Sequence, residues 1–226
     1  MKASIIVPVY NERETVGKVL DRLAALPIEK EIIVVEDPST DGTREYLERL
    51  AKKGEFKAVF RPEKRGKGAA IRTGLAEATG QVVVIQDADL EYTPEEIPQL
   101  LVPFEKGEAR AVYGSRFRGR IEGMSGASRV ANRVLTFVAN LLFGVGITDE
   151  ATCYKAVETE LLRSLDLRCE RFEFCPEVTA KLGRRGIKIV ELPISYRART
   201  GEEGKKISWR DGFEALYTLL RYRIKE

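Results

Sequence analysis

Apolar and polar positions along this chain alternate between two periods, one of strands and one of helices. Val82, Val83, Val84 and Ile85 form a β-branched run with no polar residue on either face, the pattern of a strand buried on both sides in a parallel sheet. Ser4 to Val7, Ile32 to Val35 and the weaker Ala58 to Phe60 read as three further strands. Helical patterns fill the intervals. Asn11 with Glu14 predicts an N-cap and capping box opening a helix through Ala25. Ser39 to Gly42 leads into a helix carrying Tyr46, Leu47 and Leu50 that Gly54 stops, and the glycine-rich KRGKGAAIRTGL from Lys64 to Leu75 enters a helix ended by Gly80. Strand and helix thus alternate four times, the pattern of a parallel sheet with helices on both faces.

The second half is less regular. Thr93, Pro94 and Glu96 predict an N-cap, a first-turn proline and a capping-box acid for a helix to Lys106. Ala111 to Tyr113 reads as a strand running into Gly114, Ser115 and Arg116, and Gly119 to Gly126 as a mobile loop before a long helix from near Ser128. Phe172 to Leu182 predicts an amphipathic helix and Ile187 to Tyr196 a strand. A last helix, at about 208–225, places Trp209, Phe213, Leu216, Leu220 and Ile224 on one stripe. No repeat or linker divides the chain, so residues 1–226 are expected to form one α/β domain.

Composition narrows the function classes. A net charge of +3 does not argue for nucleic acid, but its distribution is uneven. Arg110, Arg116, Arg118, Arg120, Arg129 and Arg133 face only Glu122 within their span, and a second basic group runs from Arg197 to Arg210. Such clusters suit phosphate or anionic lipid. The three cysteines, Cys153, Cys169 and Cys175, lack metal-ligand spacing and point to free thiols in a reducing compartment. Because the chain contains 0 histidines, its chemistry has to work without a histidine base or ligand. The start MKASIIVPVYNE enters a strand at once without a signal-peptide pattern. The run from Val134 to Ile147 is too short to span a bilayer, so a cytoplasmic location is expected.

The candidate chemistry follows the buried run at Val82. In an open α/β sheet ligands bind at the carboxyl ends of the strands, and there the chain reads Gln86, Asp87, Ala88, Asp89. Two carboxylates one residue apart can share a divalent cation held partly by substrate phosphates. They can equally cap a helix or sit in a solvated turn. Glu36 and Asp37 end the Ile32 strand at the same sheet edge, and Pro8, Val9 and Tyr10 line the end of the first.

Taken together the motifs resemble the family 2 inverting glycosyltransferases of the GT-A nucleotide-sugar fold, and among them the polyprenyl-phosphate sugar synthases. The resemblance rests on Pro8-Val9-Tyr10-Asn11-Glu12, on Glu36-Asp37-Pro38-Ser39-Thr40-Asp41-Gly42, on Asp87-Ala88-Asp89-Leu90 and on Gly114-Ser115-Arg116-Phe117. It continues through Thr148-Asp149, Thr152-Cys153-Tyr154-Lys155, Glu191-Leu192-Pro193-Ile194-Ser195-Tyr196 and RTGEEGKKISWRDG from Arg199. It implies a mostly parallel Rossmann-like sheet and a nucleotide-sugar site at Pro8, Tyr10, Glu12, Val35, Asp37, Asp87, Ala88 and Asp89. Asp87, Asp89 and Glu91 are the expected ligands of Mg2+ or Mn2+, and Asp89 and Arg116 the expected catalytic residues. Glu36 stands where the family more often shows Asp, and Glu91 where mannose synthases often show Gln, which leaves base and sugar open between GDP-mannose and UDP-glucose.

The resemblance also implies a polyprenyl phosphate acceptor, and elementary chemistry agrees. A phosphate is already an anion near neutral pH and can attack an anomeric carbon without a general base, which suits a chain without histidine. Holding it against an anionic donor calls for arginine forks and lysine charges, for which Arg116, Arg129, Arg199 and Lys206 are the candidates. Arg199 and Lys206 flank a glycine-rich stretch expected to act as a lid. The last helix, with Lys205, Lys206, Arg210, Arg221 and Arg223 near its aromatic stripe, reads either as packed on the sheet or as resting peripherally on an anionic membrane face. The rival readings are a family 2 enzyme with a carbohydrate acceptor and Glu91 or Glu122 as base, a non-catalytic nucleotide-sugar-binding protein, and a nucleotidyltransferase. The last expects a glycine-rich loop where this chain reads PVYNERE.

Overall fold

Four of the β-branched runs meet edge to edge. In the computed structural model, which describes residues 1–199 and 209–224, β1 (Ala3–Val9), β2 (Lys30–Glu36), β3 (Lys57–Phe60) and β4 (Val82–Ile85) form a parallel block. All four residues of β4 are buried, so both faces of the sheet centre are covered. β5 (Ala111–Glu122), β6 (Lys155–Glu158) and β7 (Ile189–Arg197) extend it to a seven-stranded sheet of order β3-β2-β1-β4-β6-β5-β7. β6 runs antiparallel to β4 and β5, while every other pairing is parallel. The helices are α1 (Val16–Ala24), α2 (Thr43–Ala51), α3 (Lys67–Glu77), α4 (Ile97–Glu105), α5 (Gly126–Phe143), α6 (Thr159–Ser164), α7 (Phe174–Arg184) and α8 (Trp209–Ile224). The expected α/β class and mostly parallel sheet are present.

Close packing of α3 on the sheet depends on a missing side chain. A Cβ at Gly74 would come within 2.6 Å of Ile6 Cγ2, so only glycine lets the helix lie this near to β1. At the opposite end of the sheet from the candidate site, Glu31 ties β1 to the approach of β4. Its carboxylate accepts from the Ser4 hydroxyl at 2.5 Å, the Thr79 N–H at 2.6 Å, the Gly80 N–H at 3.1 Å and the Lys2 ammonium at 3.1 Å. Burial opposes its charge, but the bonds from Ser4, Thr79 and Lys2 outweigh that and draw its pKa down to about 2. A depressed carboxylate pKa stabilises the fold above the unfolded value and loses that contribution as pH falls through the folded one. Glu31→Gln is expected to cost about 1–3 kcal/mol at neutral pH. In denaturant titrations the gap from the parent should close as pH falls from near the ordinary glutamate value towards 2. A gap that is independent of pH would contradict the charged role.

Several sequence expectations are corrected. Asn11 does not cap α1, which begins at Val16; Asn11 instead has a left-handed backbone, φ 50°, and its amide clasps Thr40. Thr93 makes no side-chain cap, a 3-10 turn over Pro94–Glu96 precedes α4, and the Glu96 carboxylate accepts the Ser195 N–H of β7. The stretch from Gly119, expected to be a loop, is mostly strand. β5 continues to Glu122 and pairs again with Ser195–Arg197 after a register shift between Ser115 and Arg120. A Cβ at Gly119 would lie 2.1 Å from the Ile194 carbonyl oxygen, so glycine permits this approach. β6 and α6 were not expected at all. The predicted stripe of α8 is largely its exposed side: Phe213, Leu220 and Ile224 face outward, while Asp211, Ala215, Thr218, Leu219 and Tyr222 are buried. The Tyr222 hydroxyl bonds to buried Glu177 of α7 at 2.6 Å, which fixes that orientation. The side chains of Trp209 and Arg210 lie outside the described residues.

Candidate active site

The carboxyl ends of β1, β2 and β4 converge where the acidic residues cluster. Directly after β4 the buried Gln86 amide accepts from the Tyr154 hydroxyl at 2.6 Å and donates to the Asp87 carbonyl at 2.9 Å. This orients the Asp-Ala-Asp turn, and Ala88 packs into the core beneath it. Asp87 Oδ1 lies 2.5 Å from the ammonium of Lys67, the first residue of α3. Burial opposes both charges, yet their mutual attraction prevails and holds Asp87 below and Lys67 well above their ordinary values. Asp89 is arranged differently. Its Oδ1 accepts the Glu91 N–H at 3.0 Å, and its Oδ2 lies 2.8 Å from Arg199 Nη2. Burial first, then the charges of Asp87 and Glu91, push Asp89 up to about 7 despite Arg199. Glu91 binds the end of β7, accepting from the Tyr196 hydroxyl at 3.1 Å and the Arg199 N–H at 2.8 Å.

The expected nucleoside residues lie along the adjoining edge. Tyr10 is half-buried, with the Lys64 ammonium 3.7 Å above its ring, and Pro8 precedes it at the end of β1. Glu12 accepts from Thr15 at 2.6 Å and from Arg199 Nη1 at 3.0 Å. Asp37 has both oxygens engaged, by Arg61 at 2.6 Å and by the N–H groups of Arg65 at 3.2 Å and Gly66 at 2.8 Å. It therefore fastens the glycine-rich turn that opens α3. The side chain of Val35 is wholly buried in the core. Glu36 uses its extra methylene to reach Arg44 of α2 at 2.6 Å.

The three basic candidates among the described residues, Arg116, Arg129 and Arg199, have different surroundings. Arg116 sits in the irregular part of β5, buried, with Nε and Nη2 forked onto Asp149 at 2.7 and 2.8 Å and its N–H on the same carboxylate at 2.9 Å. Burial opposes its charge, but Tyr92 and Asp149 keep it firmly protonated. Arg129 is exposed on the first turn of α5, its Nε 3.4 Å from the Met124 carbonyl. Arg199 is in the acidic centre. Lys206, Lys205 and the stretch expected to form a lid lie outside the described residues. Sequence reading missed Lys67, Arg61 and Lys64 as site residues; all three stand in or beside the glycine-rich stretch, whose glycines signalled only a helix start.

Among the described residues no group of three or more acidic or thiol side chains is set to hold a metal. The donor chemistry nonetheless fits Mg2+ or Mn2+. Asp89 and Glu91 offer hard oxygen ligands in excess of local positive charge, and such ions take one or two carboxylates and draw the rest of their shell from phosphate and water. Arg199 Nε is buried without a hydrogen-bond partner among the described residues, so the guanidinium fills this place imperfectly.

Known proteins resemble this chain in sequence and in fold. The profile described as "Glycosyl transferase family 2" matches residues 4–166. The dolichol-phosphate mannosyltransferase of Pyrococcus furiosus is 31% identical over 211 residues, covering 91% of this chain and 59% of that protein. The undecaprenyl-phosphate mannosyltransferase of Micrococcus luteus is 29% identical over 214 residues, covering 91% of this chain and 87% of that one. This chain thus spans about three-fifths of the Pyrococcus relative. Among solved structures, the glucosyl-3-phosphoglycerate synthase of Mycobacterium tuberculosis, in complex with Mn2+, UDP and product, superposes with a TM-score of 0.72 at 23% identity over 100% of this chain and 81% of that one. That likeness shows a GT-A fold. With the sheet, the acidic centre and the profile in agreement, this chain belongs to the family 2 glycosyltransferases.

Proposed function

We propose that this protein transfers a hexosyl group from a nucleotide sugar, GDP-mannose in preference to UDP-glucose, to a polyprenyl phosphate at a membrane surface, with inversion at the anomeric carbon. The named activities of the Pyrococcus and Micrococcus relatives support the acceptor class. The observation that carries the reading is a paired apolar surface on α5 and α8. Val130, Val134, Phe137 and Leu141 of α5 are exposed at helical spacing, and so are Phe213, Tyr217, Leu220 and Ile224 of α8. The two helices pack on each other through Leu135, Ala139, Ala215 and Leu219, so both stripes belong to one region of the surface. Exposed arginines accompany them, Arg129 and Arg133 on α5 and Arg221 and Arg223 on α8. Apolar stripes with basic neighbours suit the interface of an anionic bilayer. No helix among the described residues is long and apolar enough to cross a membrane.

The chemistry is a single displacement. An acceptor phosphate oxygen forms the new bond to the anomeric carbon as the bond to the nucleoside diphosphate breaks, and no side-chain base is required. Asp87, Asp89 and Glu91 would hold Mg2+ or Mn2+, which when bound stabilises the charge developing on the leaving diphosphate. Lys67 fixes Asp87, and Gln86 with Tyr154 fixes the turn. Glu91 is tied to Tyr196 and to the Arg199 N–H, which suits a structural or ligand role better than that of a base.

Purified protein incubated with a panel of nucleotide sugars, short polyprenyl phosphate and Mn2+ is expected to yield organic-extractable, lipid-linked sugar. No transfer from any donor would overturn the reading. A separate expectation concerns the surface: replacing Phe137 and Leu141 together by Asp should lower co-sedimentation with anionic vesicles about tenfold or more without changing far-UV dichroism. Unchanged vesicle binding would remove α5 from the membrane contact.

A further inference from the structure

Among the described residues two cations of the chain, Lys67 and Arg199, reach the acidic centre, and they enter it differently. Lys67 is fixed. The turn before it is fastened by Asp37 to the N–H groups of Arg65 and Gly66, and the N–H groups of Gly68 and Ala69 bond to the carbonyls of Arg171 and Glu170 at 3.2 and 2.9 Å. A Cβ at Gly68 would lie 2.6 Å from the Cys169 carbonyl oxygen, so α3 begins hard against this neighbouring backbone. The backbone that carries Lys67 is thus anchored on both sides of it.

Arg199 follows a strand end held by the Arg197 N–H on the Glu91 carbonyl and the Ala198 N–H on the Glu122 carbonyl, each at 2.9 Å. The last residue of β7 is Arg197, paired in register with Glu122, and Arg199 stands two residues beyond. Its N–H bonds to Glu91, and its side chain reaches Asp89 at 2.8 Å, Glu12 at 3.0 Å and Glu91 at 3.7 Å. Among the described residues this one guanidinium thus serves three carboxylates from two parts of the chain, the turn after β4 and the end of β1, while its buried Nε goes without a hydrogen bond among them. A doubly charged ion that brings its own phosphate and water ligands would satisfy the same oxygens better.

We propose that Arg199 is an internal counter-ion of the empty donor site, which the divalent metal entering with the nucleotide displaces from Asp89 and Glu91. This rests on the metal-dependent reading above and deepens it. The geometry gives the site two states. Without donor, Arg199 closes the acidic centre and prevents carboxylate repulsion. With donor and metal bound, the released guanidinium would be free to pair with an acceptor phosphate, which its planar fork suits. Donor would then bind before acceptor, and by linkage each would tighten the other.

The test is Mn2+ binding to the nucleotide-free protein, read by electron paramagnetic resonance of free Mn2+. Arg199→Gln and Arg199→Ala should each bind Mn2+ about tenfold or more tightly than the parent, corresponding to about 1.4 kcal/mol. Arg199→Lys, which keeps a cation, should stay near the parent, and Asp89→Asn combined with Arg199→Gln should lose the gain. Thermal unfolding identifies any variant that has failed to fold, and the two neutral variants serve as checks on each other. Affinities of the neutral variants equal to or below that of the parent, or binding by neither, overturn the proposal. The measurement involves no sugar transfer. Tighter Mn2+ binding without glycosyl transfer by the parent leaves the counter-ion role standing and removes the acceptor reading; transfer with unchanged Mn2+ affinity does the reverse.

Discussion

Asp89→Ala is expected to reduce sugar transfer several-hundredfold, a loss of about 3–4 kcal/mol of transition-state stabilisation, the size of one strong electrostatic contact to a developing charge. The carboxylate is buried, crowded by Asp87 and Glu91 and directed at the position Arg199 now fills. Its removal takes away the ligand best placed to carry a metal on the donor diphosphate. The backbone of the turn is supported elsewhere, by Gln86 and by the Arg197 N–H bonded to the Glu91 carbonyl at 2.9 Å. Unfolding midpoints should therefore move little, and steady-state rates on saturating donor and acceptor report chemistry rather than folding. A rate within threefold of the parent would remove Asp89 from the metal site. Asp87→Asn should be milder in rate but less stable, because it leaves the buried Lys67 ammonium without its countercharge.

The second large effect concerns Arg116, and here stability rather than rate is expected to respond first. Three bonds join Arg116 to an Asp149 carboxylate with no solvent exposure. Removing one member of such a buried pair leaves an uncompensated charge and costs about 3–5 kcal/mol. Arg116→Ala should show this loss in denaturant unfolding, and replacing Arg116 by Met together with Asp149 by Leu should recover much of it. The sequence reading placed Arg116 on the acceptor phosphate. An Arg116→Ala protein as stable as its parent but inactive would favour that role; a destabilised protein that keeps its specific activity in the folded fraction would favour the fork.

The difference between those two readings shows what local sequence carries. β1, β2 and β4 were legible because strands buried on both faces need continuous apolar runs, and Ile5 to Val7, Ile32 to Val35 and Val82 to Ile85 supply them. β6 was not. Its four residues, Lys155 to Glu158, have no strand signature and are extended because β4 and β5 receive them on either side. Gly119 suggested a loop by composition, yet it is the close passage of Ile194 that requires glycine there. In α8, a helical period identified two possible faces and not which one packs; the Tyr222 bond to Glu177 and the small Ala215 decide that. The acidic residues of the site were visible from their place after β4. Their partners were not, since Lys67 meets Asp87 and Arg199 meets Asp89 across long stretches of chain.

The nature of the nucleophile is tested most directly by presenting the protein with donor, Mn2+ and a matched pair of acceptors, a polyprenyl phosphate and the corresponding polyprenyl alcohol, and following labelled sugar into each. Transfer to the phosphate alone, with the anomeric configuration inverted from that of the donor, is the expected result. Comparable transfer to the alcohol, or to a free sugar hydroxyl, would show that a side-chain base operates in this site and would contradict a phosphate nucleophile.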